Sequence, residues 1–322
     1  MSGPADAAPP PAGRSRTRRI GGLVTGVVIF AFLLWGLVRG WSQVSDFDWQ
    51  LDPPLLAAAV AVVFCGYLAS GVGYLIVVNF LGVPGEVSRF ELLSGWARAL
   101  LGRYVPGTVV MLASRVVLGR EAGVPARVTL AASVYEQVLL LTTAALASLA
   151  FVVAYEDSGV SWVLLAVAIA GGLGLVHPRV FRPLSTWMLK KAGREPLDRF
   201  LSGAHLLALL LYYAFVNALM GTGVWLLIHA AAGADAGDLA YVALAFLLSF
   251  TLGMLAWIVP SGLGVRDAAF ALALGRNVGD GVAIALAAGV RIAVTLIELG
   301  FIAVVAGAHR ILRGRTGRRA PE

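Results

Sequence analysis

The sequence predicts an all-α polytopic membrane protein, with six full spans plus two broken-helix or re-entrant pairs in an inverted-topology repeat. Three observations predict it. Of 322 residues, 59% are hydrophobic and only 13% charged, against about 25% charged in a soluble domain, so a soluble surface could not be covered. Uncharged runs recur at the length a helix needs to cross the hydrocarbon core, about 20 residues. The basic residues sit mostly at the ends of those runs, where they set membrane topology.

The same facts exclude other classes. The formal net charge of +7 is distributed as topology signals and forms no nucleic-acid patch. Cys65 is the single cysteine, so no internal disulfide forms. The 4 histidines are scattered without ligand spacing, and neither a metal nor a cofactor is expected.

Residues 1–19 read as a disordered, basic cytoplasmic tail, Pro/Ala/Gly-rich and closing on Arg14, Arg16, Arg18 and Arg19. A retained first span follows from Ile20 to Val38, since no small-residue cleavage site succeeds it. The second span lies within 54–80, where Gly66, Ala69, Ser70 and Gly73 form a small-residue face for close helix packing. Segment 84–125 breaks the pattern: two short apolar stretches flank Tyr104-Val105-Pro106-Gly107, among Arg89, Arg98, Arg103, Arg115 and Arg120. Spans three, four and five are expected over 126–154, 159–176 and 204–230, with a basic loop at 177–199 between the last two. A second interrupted segment, 239–280, breaks at Pro260-Ser261-Gly262-Leu263-Gly264. The last span lies in 281–308, and 310–322 is a basic cytoplasmic tail.

Charge bias orients these elements. The N-terminus, 81–127, 177–199 and the C-terminus hold 21 of the 25 basic residues and are expected in the cytoplasm. The loops near 46, 156 and 235 are acidic and are expected outside. Segment 84–125 then starts and ends inside, and 239–280 starts and ends outside, so the two enter from opposite faces. An internal repeat agrees. Leu92-Leu93-Ser94, Val105-Pro106-Gly107 and Leu118-Gly119-Arg120 return as Leu247-Leu248-Ser249, Val259-Pro260-Ser261-Gly262 and Leu274-Gly275-Arg276, the prolines 154 residues apart. Repeat one covers about 84–154 and repeat two about 239–308. An inverted pair of Gly/Pro-interrupted segments points to a transport site near the midplane.

Charges at depth cost about 2.5–3.5 kcal/mol each on insertion scales, so each calls for a partner. Glu136, beside Gln137, and Arg291 sit at similar depths in spans related by the repeat. Glu298 is two turns beyond Arg291. Arg266-Asp267 follows the second break, and Arg98, Arg103 and Arg115 surround the first. In one reading these groups line a polar cavity that holds a charged headgroup, helped by half-helix N-termini that attract phosphate. In the other, Glu136–Arg291 and Arg266–Asp267 are structural ion pairs that lock the broken helices. A Glu136–Arg291 approach across the pseudo-two-fold is expected in either case.

Taken in order, Arg103-Tyr104-Val105-Pro106-Gly107, Arg115, Glu121-Ala122-Gly123-Val124-Pro125, Glu136-Gln137, Pro260-Ser261-Gly262-Leu263-Gly264-Val265-Arg266-Asp267 and Arg291 resemble the transmembrane region of the lysylphosphatidylglycerol synthase/flippase family over about 20–309. Full-length members join a flippase-like membrane region to a cytosolic aminoacyl-transferase domain. With the sequence ending at Glu322, the resemblance implies lipid translocation without aminoacyl transfer. Two departures stand out. Thr108-Val109 replaces a Lys and an apolar or aromatic residue, losing a cation near the break, and Ser261 replaces a second Gly.

The expected function is movement of a phospholipid or polyprenyl-phosphate-linked headgroup between leaflets of the cell membrane, with no enzymatic activity. Arg103, Arg115, Arg266 and Arg291 would contact the anion, with Arg98, Tyr104 and Gln137 beside them. Glu136, Asp267 and Glu298 would balance charge or carry protons. Pro106, Gly107, Pro260, Gly262 and Gly264 would form the breaks. The partners would be membrane lipids with anionic headgroups. The alternative is a non-transporting membrane scaffold or regulator of a lipid-handling glycosyltransferase, which would tolerate neutralised charges where a transporter would not. A membrane-embedded enzyme is a third reading, against which stands the lack of any nucleophile–base pair or metal set beside Glu136.

Overall fold

A computed structural model describes residues 38, 41–83, 87–104, 109–155, 161–191, 197–255 and 264–317, and every regular element among them is helical. Apart from Val38, the expected first span lies outside the described residues, as do Pro106, Gly107, Pro260 and Gly262.

Local signals explain where the helices begin and end. A short helix α1 (Trp41–Asp46) precedes α2 (Pro53–Leu81). Asp52 caps α2 by accepting the Leu55 N–H at 3.0 Å, two prolines occupy the first turn, and Gly82 at φ 80° ends it. Helix α3 (Arg89–Ala99) starts on Ser88 and tightens into a 3-10 turn, Leu100–Tyr104. Helix α4 (Val109–Glu121) closes in a Schellman turn: Gly123 at φ 85° lets the Val124 N–H reach the Gly119 carbonyl at 2.8 Å. Pro125 then leads into α5 (Ala126–Tyr155). After α6 (Ser161–Val176) and α7 (Pro178–Lys191), Ser202 caps α8 (Gly203–Ala232) by accepting the His205 N–H at 3.2 Å. Helices α9 (Leu239–Leu255), α10 (Val265–Val278) and α11 (Asp280–Gly317) complete the chain.

Four of these helices, Pro53–Leu81, Ala126–Tyr155, Gly203–Ala232 and Asp280–Leu312, are long and apolar enough to cross a membrane. They correspond to the second, third, fifth and last expected spans. Of the fourth expected span, α6 covers Ser161–Val176, and residues 159 and 160 lie outside the described residues. The loop expected over 177–199 contains the amphipathic helix α7. Large apolar side chains face outward along the long helices, including Leu68, Val72, Leu207, Leu211, Phe215, Ile292, Leu296 and Val304, as lipid contact requires. The protein is therefore a multi-pass membrane protein.

Close packing holds α2 against α8. A Cβ placed on Gly73 would lie 2.9 Å from the Tyr213 hydroxyl, and one on Gly66 would lie 3.0 Å from the Met220 sulfur. These are contacts that only small residues permit. Inside the bundle, the Asn217 amide donates to Thr143 at 2.8 Å, and Ser148 and Thr251 share a hydrogen bond at 3.0 Å. These bonds tie α5 to α8 and α9.

Each interrupted segment folds as a pair of helices packed side by side, α3 on α4 and α9 on α10. The first pair begins and ends together: a Cβ on Gly123 would lie 3.7 Å from Val87. Midway, Gly102 lets the turn approach the α4 backbone, where a Cβ would sit 2.7 Å from the Met111 Cα. The second pair also begins and ends together, since Asn277 donates to the Ala236 carbonyl at 3.1 Å and the Tyr241 hydroxyl to the Ala273 carbonyl at 2.6 Å. The first pair opens where α5 starts. The second opens where α5 finishes, because Arg276 donates to the Tyr155 carbonyl at 3.0 Å. Thirty residues of α5, about 45 Å of helix, separate the two open ends.

The same sorting holds at the two ends of the bundle. Gly82 packs against Arg199, Arg127 pairs with Asp198 at 2.8 Å, and the Phe90 and His309 rings lie 6.1 Å apart. The basic connections thus meet at the end where α5 starts. At the other end the Asp52 N–H bonds the Ala230 carbonyl at 3.0 Å, beside the 3-10 turn Gly233–Ala236.

Candidate functional site

Two arginine–carboxylate pairs occupy the interior, and they differ in kind. Arg115 on α4 holds Glu136 on α5. One guanidinium nitrogen binds Oε2, and a second donates to Oε1 at 3.3 Å. The Trp96 indole N–H also donates to Oε1 at 3.0 Å. The Arg115 guanidinium lies 5.3 Å from the Tyr74 ring centroid and 5.7 Å from that of Trp96, which adds cation–π stabilisation. Both charged side chains are only 1% exposed. Both carboxylate oxygens are satisfied, while the guanidinium is enclosed with its Nε left without a hydrogen-bond partner among the described residues. The expected Glu136–Arg291 pair is therefore corrected. Arg115 and Glu136 lie on consecutive helices, α4 and α5, that the tight turn at Gly123 folds against each other.

The second pair crosses between the repeats. Arg103, in the 3-10 turn after α3, donates to Glu298 Oε2 on α11 at 3.1 Å, and the Tyr67 hydroxyl on α2 donates to the same oxygen at 2.9 Å. Glu298 is enclosed, with a side-chain exposure of 4%, while Arg103 is 38% exposed. The other carboxylate oxygen, Oε1, is buried without a hydrogen-bond partner among the described residues. Phe301, one turn along α11, stacks on Tyr67 at 5.9 Å and fixes its ring.

Arg266 opens α10, directly after Gly264 at φ 83°. Its guanidinium lies over Phe246 and Phe250 of α9, 4.6 and 5.4 Å from the ring centroids. Arg291, Arg103 and Asp267 are its charged neighbours. The Asp267 carboxylate accepts the Gly264 N–H at 3.2 Å and so serves to cap the helix, where the sequence alone also offered it as Arg266's ion-pair partner. Neither Arg266 nor Arg291 forms an ion pair among the described residues. Three arginines thus converge near the inner tips of both helix pairs, with Glu298 the one carboxylate there not already engaged as a cap.

Other expected site residues are placed less directly. Arg98 is bonded back to its own helix, Nε donating to the Ser94 carbonyl at 3.3 Å. Tyr104 is exposed beside Arg103, and Gln137 is half-buried on α5. Tyr67, Tyr74, Trp96, Phe246 and Phe250 were not singled out from sequence. For Trp96, Phe246 and Phe250 the missed signal is an aromatic within an interrupted segment that the charge pattern had already implicated, whereas Tyr67 and Tyr74 lie on an uninterrupted span that carried no such signal.

Searches of curated proteins and of solved structures returned no match. The sequence pattern of the lysylphosphatidylglycerol synthase TM region matches residues 21–301, a stretch that includes both helix pairs, both ion pairs and all three converging arginines. The chain therefore belongs to the lysylphosphatidylglycerol synthase transmembrane-region family.

Proposed function

We propose that this protein is a lipid translocase that moves a phospholipid or a polyprenyl-phosphate-linked lipid between leaflets, its phosphate held by Arg103, Arg266 and Arg291. The observation that carries this is that Arg266 has Arg103 and Arg291 as charged neighbours, while Arg103 is paired with Glu298 and has a side chain 38% exposed. Cations at depth are retained where they serve a pathway or a partner, and arginine suits phosphate through its planar fork of donors. Family membership supports a lipid-related role. Arg115 and Glu136, both enclosed, act in this reading as the lock that holds the first pair.

The transport reading includes an inverted repeat, six spans and cytoplasmic termini. It is supported by the open ends of the two pairs at opposite ends of α5 and by the gathering of basic connections at one end. The alternative, a scaffold or regulator for a lipid-handling glycosyltransferase, makes the arginines structural. Purified protein reconstituted in vesicles with a panel of fluorescent phospholipids and polyprenyl phosphates separates the two. A translocase makes inner-leaflet headgroups of at least one lipid accessible to an impermeant quencher, and a scaffold makes none.

A further inference from the structure

We infer that Glu298 is a proton-exchange site coupled to anion binding, so that lipid entry at Arg103 is accompanied by uptake of a proton. The inference rests on the translocase reading of the same site and adds the source of its coupling.

The contrast between the two pairs motivates it. Glu136 has both oxygens bonded and lies against an enclosed guanidinium. Glu298 has one oxygen carrying both Arg103 and Tyr67, and a second, Oε1, buried without a hydrogen-bond partner among the described residues. A buried carboxylate oxygen left unpartnered costs about 1–3 kcal/mol or more, a penalty that protonation relieves. Arg103 meanwhile is partly exposed and can turn from carboxylate to ligand.

Tyr67, Arg103 and Tyr104 face Glu298, and Arg266, with Asp267 and Arg291 beside it, neighbours Tyr67 and Arg103 in turn. Tyr67 is on α2, Arg103 and Tyr104 follow α3, Arg266 and Asp267 open α10, and Arg291 lies two turns earlier on α11. Three arginines against the Asp267 and Glu298 carboxylates leave the group with an excess of one formal positive charge while the site is empty. A lipid phosphate brings one negative charge. It takes over the Arg103 N–H groups, and Glu298 is left buried among fewer cationic contacts. The O–H bond then forms at Oε1 with a proton from water reaching the exposed side of Arg103. One negative charge enters and one is neutralised, so the net charge of the site is unchanged. Tyr67 stays bonded to Oε2 throughout. Release runs the sequence backwards, and a pH difference across the membrane would bias it.

Linkage fixes the sign. If binding takes up one proton, affinity for the anion rises as pH falls, by up to about tenfold per pH unit. The test is calorimetric titration of the purified full chain with short-chain phosphatidylglycerol, in two buffers of different ionisation enthalpy, across a range of pH. This diester carries no titratable proton of its own, and farnesyl phosphate serves as a second probe, read as the difference between wild type and variant. Infrared difference spectra of the same titration report any new carboxylic-acid band. Wild type should take up about one proton per lipid and gain that band. Glu298→Gln should bind with affinity independent of pH and lose both signals. Tyr67→Phe should keep the stoichiometry and shift the pH dependence, which a merely structural tyrosine would not do. Binding by wild type without proton uptake would overturn the coupling while leaving the translocase reading standing, as would uptake that persists in Glu298→Gln. Failure of wild type to bind either probe would instead overturn the anion site, and the coupling with it.

Discussion

The Arg103 guanidinium reaches the Glu298 carboxylate at 3.1 Å across 195 positions of sequence, joining the first helix pair to the last membrane span. Tyr67 completes the contact from a third element. The pair thus reports on the assembly of both halves of the protein and on a guanidinium whose side chain is 38% exposed. A double-mutant cycle with Arg103→Gln and Glu298→Gln should give a coupling of about 0.5–3 kcal/mol in unfolding free energy. Additive losses would mean that the two side chains do not interact in the membrane.

The Arg115–Glu136 pair should behave as a lock. Glu136→Gln or Arg115→Met alone leaves a buried charge without its partner, a loss of about 3–5 kcal/mol. Replacing both by apolar residues, Arg115→Met with Glu136→Leu, should recover much of it. Thermal unfolding in detergent measures this, and a double variant as unstable as the worse single one would argue for a role beyond locking.

Glycine 102 sets the spacing of the first helix pair. A methyl group there would sit 2.7 Å from the Met111 Cα, so Gly102→Ala must push the 3-10 turn away from α4. Overpacking of this kind costs about 1–3 kcal/mol. Because Arg103 is the next residue, the variant should insert and purify yet lose lipid binding disproportionately. Binding at wild-type strength would show that the turn tolerates movement without disturbing the arginine.

The expected topology places Ser2 and Thr316 in the cytoplasm and Asp157 and Asp235 outside. Single cysteines at these four positions in a Cys65→Ala background, treated with an impermeant thiol reagent in intact cells, should label at 157 and 235 alone. Labelling at 316 without labelling at 235 would reverse the orientation.

Much of this architecture was readable from residues. The uncharged runs marked the long helices, and the small-residue face of α2 at Gly66 and Gly73 does pack on α8. The two interruptions marked helix pairs, and the arginines around them marked where charge would gather. Pairing was not readable by symmetry. Glu136 was matched with Arg291 through the repeat, whereas the turn at Gly123 brings Arg115 nearer by simple antiparallel geometry. Helix α7 was taken for a loop on its charges. Its signal was Phe181, Leu184, Trp187 and Met188 recurring at helical spacing between Arg179, Arg182, Lys190 and Lys191. Nothing in sequence marks Tyr67 as the third partner of Glu298, since a tyrosine in an apolar helix is ordinarily read as packing.

The central claim is that Arg103 and Arg266 hold the phosphate of a lipid in transit. The most direct measurement is the accessibility of inner-leaflet fluorescent headgroups to an impermeant quencher in reconstituted vesicles, for wild type, Arg103→Gln, Arg266→Gln, Arg103→Lys and Arg266→Lys. Translocation should be abolished in both glutamine variants and only partly restored in the lysine variants, because lysine supplies the charge without the bidentate fork, while all five proteins insert and purify alike. Equal rates in all five would contradict the account and leave the arginines as structural staples of a scaffold.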